Sequence, residues 1–109
     1  PGGPRSRESC VKLLVEHGAN IHEVDYQGFT VLHFAAMWGW VSTVRYLLDQ
    51  GADINSQTIS GRTPLMYAVQ FEHMSLIAML LSRKDIILEA SDLEGYTALI
   101  IAVEMGTPG

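Results

Sequence analysis

Cysteine is almost absent from this chain of 109 residues: Cys10 stands alone. It cannot form an internal disulfide, and a reducing compartment, cytoplasm or nucleus, suits such a chain best. Basic residues are scarce as well. Seven Lys and Arg stand against twelve Asp and Glu, for a formal net charge of -5. Phosphate backbones are held by clustered Lys and Arg, and no such cluster is present, which argues against nucleic acid as a partner. No apolar run approaches the ~18–20 residues that a bilayer-crossing helix needs, so no membrane insertion is expected. The opening Pro1-Gly2-Gly3-Pro4, followed by Arg5 and Arg7, lacks the apolar core of a signal peptide. With 48% hydrophobic and 17% charged residues, a single globular unit is the natural expectation.

Chemistry-bearing patterns are missing too. No glycine-rich phosphate loop and no G-x-S-x-G elbow appears. His17, His22, His33 and His73 form no metal-ligand spacing with Cys10 or with carboxylates. Cys10 and His17 lie two turns apart on one expected helix, whereas a nucleophile needs its base within hydrogen-bond reach. The acidic stretch Asp85, Glu89, Asp92 and Glu94 lacks the alternating ligands and glycine of a calcium loop; it reads as a solvated face, or as a weak attraction for a basic partner. No catalytic residue, metal site or cofactor is assigned, and the chain does not read as an enzyme.

What is present is a repeat. The segments DYQGFTVLHFAAMWG, TISGRTPLMYAVQFE and DLEGYTALIIAVEMG align Gly28, Gly61 and Gly95, and with them Thr30, Thr63 and Thr97, then Leu32, Leu65 and Leu99, then Ala35, Ala68 and Ala102. A second series, EHGANIH at 16–22 and DQGADIN at 49–55, places Gly18 and Gly51 at the same interval. A period of about 33 with a T-P-L-H-x-A pattern is the mark of stacked ankyrin repeats, and residues 9–106 resemble that family. The resemblance implies an all-α fold: a solenoid of stacked helix-turn-helix units joined by β-hairpin-like fingers.

Each recurring residue has a physical task. A threonine oxygen at 30, 63 and 97 accepts an N–H of the first helical turn, and Pro64 follows where its missing N–H does no harm. Val31 and Ala98 replace that proline elsewhere. Ala35, Ala36 and Ala68 favour helix and let neighbours approach. Gly39 and Gly106 fit a left-handed helix end, where the middle unit has Glu72 instead. A second helix follows, with Val41, Val44, Leu47 and Leu48 on one face, repeated by Met74, Ile77, Leu80 and Leu81 and by Val11, Leu14 and Val15. His33 fills the His of the signature, which the resemblance implies bonds backbone between units, and Trp40 reads as packing.

The expected organisation is a disordered lead at 1–8, a partial repeat at 9–23, full repeats at 24–56 and 57–90, and a partial repeat at 91–106. Val11, Leu14 and Val15 lack the first helix of their unit, and Leu99, Ile100 and Ile101 lack a following one. Helical repeats bury their apolar face only against neighbours, so this pattern predicts a fragment of a longer array, with self-association through uncapped ends.

Subtracting the scaffold leaves a surplus. The resemblance implies a binding surface on finger tips and on the free side of each first helix. By register these are Tyr26, Gln27, Phe29, Met37 and Trp38; then Ile59, Ser60, Arg62, Gln70 and Phe71; then Leu93, Glu94, Tyr96, Glu104 and Met105. Nine of these are large and apolar or aromatic, as interaction sites are. The expected function is therefore non-catalytic protein-protein interaction, a scaffold role. The alternative is a structural or regulatory segment of a larger enzyme, channel or ubiquitin-ligase adaptor; an enzyme using Cys10 is the poorest fit. Leu47, Asp53, Ile54 and Asn55 also resemble the ankyrin pattern whose finger asparagine is hydroxylated by a cytosolic asparaginyl hydroxylase, which makes Asn55 a modification candidate.

Overall fold

The computed structural model describes residues 4–104, which form six helices and, among the described residues, no named strand. These are α1 (Pro4–Glu16), α2 (Val31–Trp38), α3 (Val41–Asp49), α4 (Pro64–Gln70), α5 (Met74–Leu81) and α6 (Ala98–Glu104). They lie in two layers. α2, α4 and α6 pack side by side in the first, α1, α3 and α5 in the second, and the pairs α2–α3 and α4–α5 join the layers. The expected all-α solenoid is what the chain forms.

The first-layer helices start as threonine chemistry dictates. The Oγ1 of Thr30 accepts from His33 N at 3.3 Å, that of Thr63 from Met66 N at 3.3 Å, and that of Thr97 from Ile100 N at 3.2 Å. Gly39 closes α2 at φ +74, where its amide donates to Ala36 O. Glu72 takes the same left-handed turn after α4, at φ +56, although it carries a side chain.

Small and branched residues share the interior. Ala36 and Ala68 are fully buried and let α2 and α4 approach closely; Leu32, Val44, Leu47, Leu65, Leu76 and Leu80 fill the space between layers. Each such Leu contributes about 1.5–3 kcal/mol. The buried imidazole of His33 is fully used. Thr30 N donates to its Nδ1 at 3.1 Å, so the proton sits on Nε2, which donates to Ser56 O at 2.9 Å and Arg62 O at 3.0 Å. Burial holds its pKa below the usual 6.5, outweighing the bonds to Ser56 and Arg62.

Two expectations need correction. Residues 4–8, taken as part of a disordered lead, belong to α1. A proline is tolerated in the first turn, and the Thr43 hydroxyl donates to Glu8 Oε1 at 2.7 Å, tying that turn to α3. The buried face of α5 is also displaced: Leu76 and Leu80 are buried, while Met74 is 69% and Leu81 48% exposed. Residues 1–3 of the expected lead, and Met105 and Gly106, lie outside the described residues.

One repeat position shows what stacking does. Leu32 is 1% exposed and Leu65 3%, but Leu99, at the same place in α6, is 76% exposed. Leu65, Val69, Ile77, Leu88, Leu99 and Ala102 line an apolar groove of about 500 Å³ beside α6. At the opposite end a groove of about 430 Å³ opens between α1 and α2, lined by Leu14, Ile21, Val24, Val31 and Phe34 among others.

Candidate functional site

The three fingers are built alike. In the first, Asp25 N donates to Phe29 O, and the Asp25 carboxylate accepts from Gln27 N and Phe29 N at 2.9 Å each. In the third, Asp92 does the same with Glu94 N and Tyr96 N, at 2.9 and 2.8 Å. The middle finger uses Thr58, whose Oγ1 accepts from Arg62 N at 3.1 Å. Gly28, Gly61 and Gly95 make the turns at φ +82, +85 and +86. Successive fingers are joined by single backbone bonds, Ile59 N to Gln27 O at 3.0 Å and Leu93 N to Ser60 O at 2.9 Å.

This construction fixes the backbone of the tips while leaving their side chains outside. Tyr26 is 87% exposed, Ile59 68% and Leu93 78%. They occupy one repeat position on three adjoining fingers, so they form a row along the solenoid. Gln27 is exposed beside Tyr26.

The remaining sequence candidates divide into two sorts. Trp38 and Phe71, at the far ends of α2 and α4, are each about half exposed. Trp38 lies against Trp40 and Phe34, with ring centroids 5.0 and 5.7 Å away, and Phe71 lies 6.4 Å from the His73 ring. Phe29, Met37, Arg62, Gln70 and Tyr96 are half-buried, and the side chains of Phe29, Arg62 and Gln70 are already engaged. Phe29 packs on Phe34 and Tyr67, 5.0 and 5.4 Å between centroids. The carbonyl of Met37 accepts from His73 Nε2 at 2.8 Å. The Arg62 guanidinium lies 5.4 Å over the Tyr67 ring, donates to Gln70 Oε1 and pairs with Asp92 Oδ2 at 3.4 Å. Tyr96 contributes its backbone amide to the third finger.

Electrostatics follow from these contacts. Burial pushes the Asp92 carboxyl upward, but the amides of Tyr96 and Glu94 together with Arg62 outweigh it and hold the group below 3.8. Burial raises the Tyr67 phenol above its ordinary value, against the pull of Arg62.

Asn55 bridges two units: its Nδ2 donates to Asp85 O at 2.8 Å and its Oδ1 accepts from Ile87 N at 2.9 Å. Its amide is thus a structural tie between the segments that follow α3 and α5 in the folded chain. Phe34 and Tyr67 are the residues that sequence reasoning missed. They share one repeat position and link Phe29 to Trp38 and to Arg62; the alignment that paired the alanines contained them.

No group of His, Cys, Asp and Glu that could hold a metal occurs among the described residues. Cys10 is an exposed thiol on α1, and His17 caps the end of the same helix, bonded through Nδ1 to Leu13 O at 2.9 Å. No described helix is long and apolar enough to cross a membrane. No curated protein matches the chain. The family model described as ankyrin repeats (many copies) matches residues 5–42 and 32–81. With the paired helices and the repeated finger geometry, that match establishes that the chain belongs to the ankyrin repeat family.

Proposed function

We propose that this chain binds a protein partner, without catalysis, through its finger tips and the neighbouring free side of its first-layer helices. Ankyrin repeats are in general protein-interaction modules; the surface assigned here is specific to this chain. The observation that carries it is the row Tyr26, Ile59 and Leu93, three large apolar side chains exposed at one repeat position on a backbone that the stacked fingers hold rigid. Exposed apolar surface that folding does not require marks interaction sites, and a preorganised platform lowers the entropic cost of association. Trp38 and Phe71 extend the surface to the other end of the helices. The single cysteine favours a cytosolic or nuclear setting. The test is to compare hydrogen-exchange footprints of a captured partner on the chain and on the Tyr26→Ser/Ile59→Ser/Leu93→Ser variant. Protection across 26–29, 59–62 and 93–96 that disappears in the variant is expected; undiminished binding to the variant contradicts the assignment.

A second reading, packing within a larger assembly, is favoured by the two end grooves. On the apolar groove beside α6, Leu99 and Ala102 are exposed, whereas their counterparts Leu65 and Ala68 in the preceding unit are buried. A second copy or a further helical unit seated there would bury Leu99 and Val103, both more than three-quarters exposed. Sedimentation velocity over a range of concentrations tests self-association. A constant monomer that Leu99→Lys does not alter excludes it.

A further inference from the structure

The charges of this chain are not spread evenly over its two layers. The second-layer helices with their following turns (4–18, 40–55 and 74–89) carry Arg5, Arg7, Lys12, Arg45, Arg83 and Lys84 against Glu8, Glu16, Asp49, Asp53, Asp85 and Glu89. They balance. The finger and first-layer segments (19–39, 56–73 and 90–104) carry Glu23, Asp25, Glu72, Asp92, Glu94 and Glu104 against Arg62 alone. The whole formal net charge of -5 therefore resides on the finger and first-layer side. Arg62 does not offset this outward: it is half-buried, paired with Asp92, bonded to Gln70 and laid over Tyr67. The five other carboxylates are exposed. His33 is held neutral by burial.

An apolar row flanked by carboxylates of one sign selects its ligand by charge complementarity. We propose that the occupant of this face is a basic polypeptide segment that also carries apolar side chains, the apolar groups on Tyr26, Ile59 and Leu93 and the cations beside Glu23, Asp25 and Glu94. This inference rests on the binding surface proposed above and adds the chemical class of its partner. An acidic segment meets like charge at the first and third fingers, which disfavours it, and a neutral one forgoes the electrostatic steering that raises association rates. Exposed charges more than about 10 Å apart are screened at 0.1 M salt, so the interaction weakens as salt rises.

The experiment is a selection of short random peptides displayed on phage against the intact chain, followed by binding measurements with the enriched peptides made synthetically. Enriched peptides are expected to be net positive with aromatic or branched apolar residues. They should lose about tenfold in affinity on Tyr26→Ser/Ile59→Ser/Leu93→Ser and about threefold or more on Glu23→Lys/Glu94→Lys. All five positions are exposed, and circular dichroism is the check that each variant keeps its helices. Enriched peptides that are neutral or acidic, yet still fail on the tip variant, overturn the charge class and leave the surface standing. Peptides that bind the tip variant as well as the parent chain, or a selection that enriches nothing, overturn both.

Discussion

The amide nitrogen of Ile59 lies 2.8 Å from where a Cβ on residue 28 would stand, so the second finger rests directly on the glycine of the first. Gly61 is met in the same way by Asp92 Cα and Leu93 N, both at 2.9 Å, whereas a Cβ at Gly95 would meet nothing within 4 Å. All three have positive φ, so alanine at any of them incurs about 1–2 kcal/mol of left-handed strain. At 28 and 61 the clash with backbone adds about 1–3 kcal/mol. Urea denaturation of the three alanine variants should therefore rank Gly95→Ala as clearly the mildest.

The leucine series makes a second comparison. Leu65→Ala removes a buried side chain and should cost about 2–5 kcal/mol. Leu99→Ala, at the same repeat position but 76% exposed, should change stability by no more than about 0.5 kcal/mol. Equal losses in the denaturant midpoint would mean that Leu99 is covered in solution.

Acid should act on His33 first. Its folded pKa lies below the unfolded 6.5, so the unfolded chain binds the proton more readily, and stability is full above that value and falls as pH drops beneath it. Asp92, held below 3.8, adds a later loss as pH falls through its own folded pKa. His33→Gln should lower stability at neutral pH and remove the first stage of the pH dependence, leaving the second. The readout is the thermal midpoint between neutral pH and the carboxylate range.

Glu72 holds a left-handed turn at φ +56 that Gly39 makes in the preceding unit. Replacing it with glycine removes about 1–2 kcal/mol of strain, offset by about 0.5–1 kcal/mol of added chain entropy. Glu72→Gly should thus stabilise by roughly 0.5 kcal/mol, seen as a higher denaturant midpoint at unchanged slope.

Much of this architecture was legible because stacked repeats require the same residue for the same reason several times over. Thr30, Thr63 and Thr97 announced helix starts, and Gly28, Gly61 and Gly95 announced the turns. What the pattern did not carry was phase within a helix. Met74 and Leu81 are apolar and suitably spaced, but the face of α5 that meets the core is centred on Leu76 and Leu80; in a run as uniformly apolar as MSLIAMLL several stripes fit equally well. At the candidate site, the exposed tips were readable from register. The contacts of Phe29, the Met37 carbonyl and Arg62 were not, because they depend on Tyr67, His73 and Asp92, which arrive from the next unit, 38, 36 and 30 positions along the chain. The start of α1 escaped for a similar reason: the partner that steadies Glu8 is Thr43, on α3.

At the finger tips, Ile59 and Leu93 hydrogen-bond their neighbours through main-chain N–H groups, and most of each side chain stays outside that contact. Many residues other than proline, which lacks the N–H, can therefore stand there and keep that bond. The tips are interchangeable parts: a lineage, or an engineer, can change the exposed chemistry of this face one residue at a time at little expense in thermal stability.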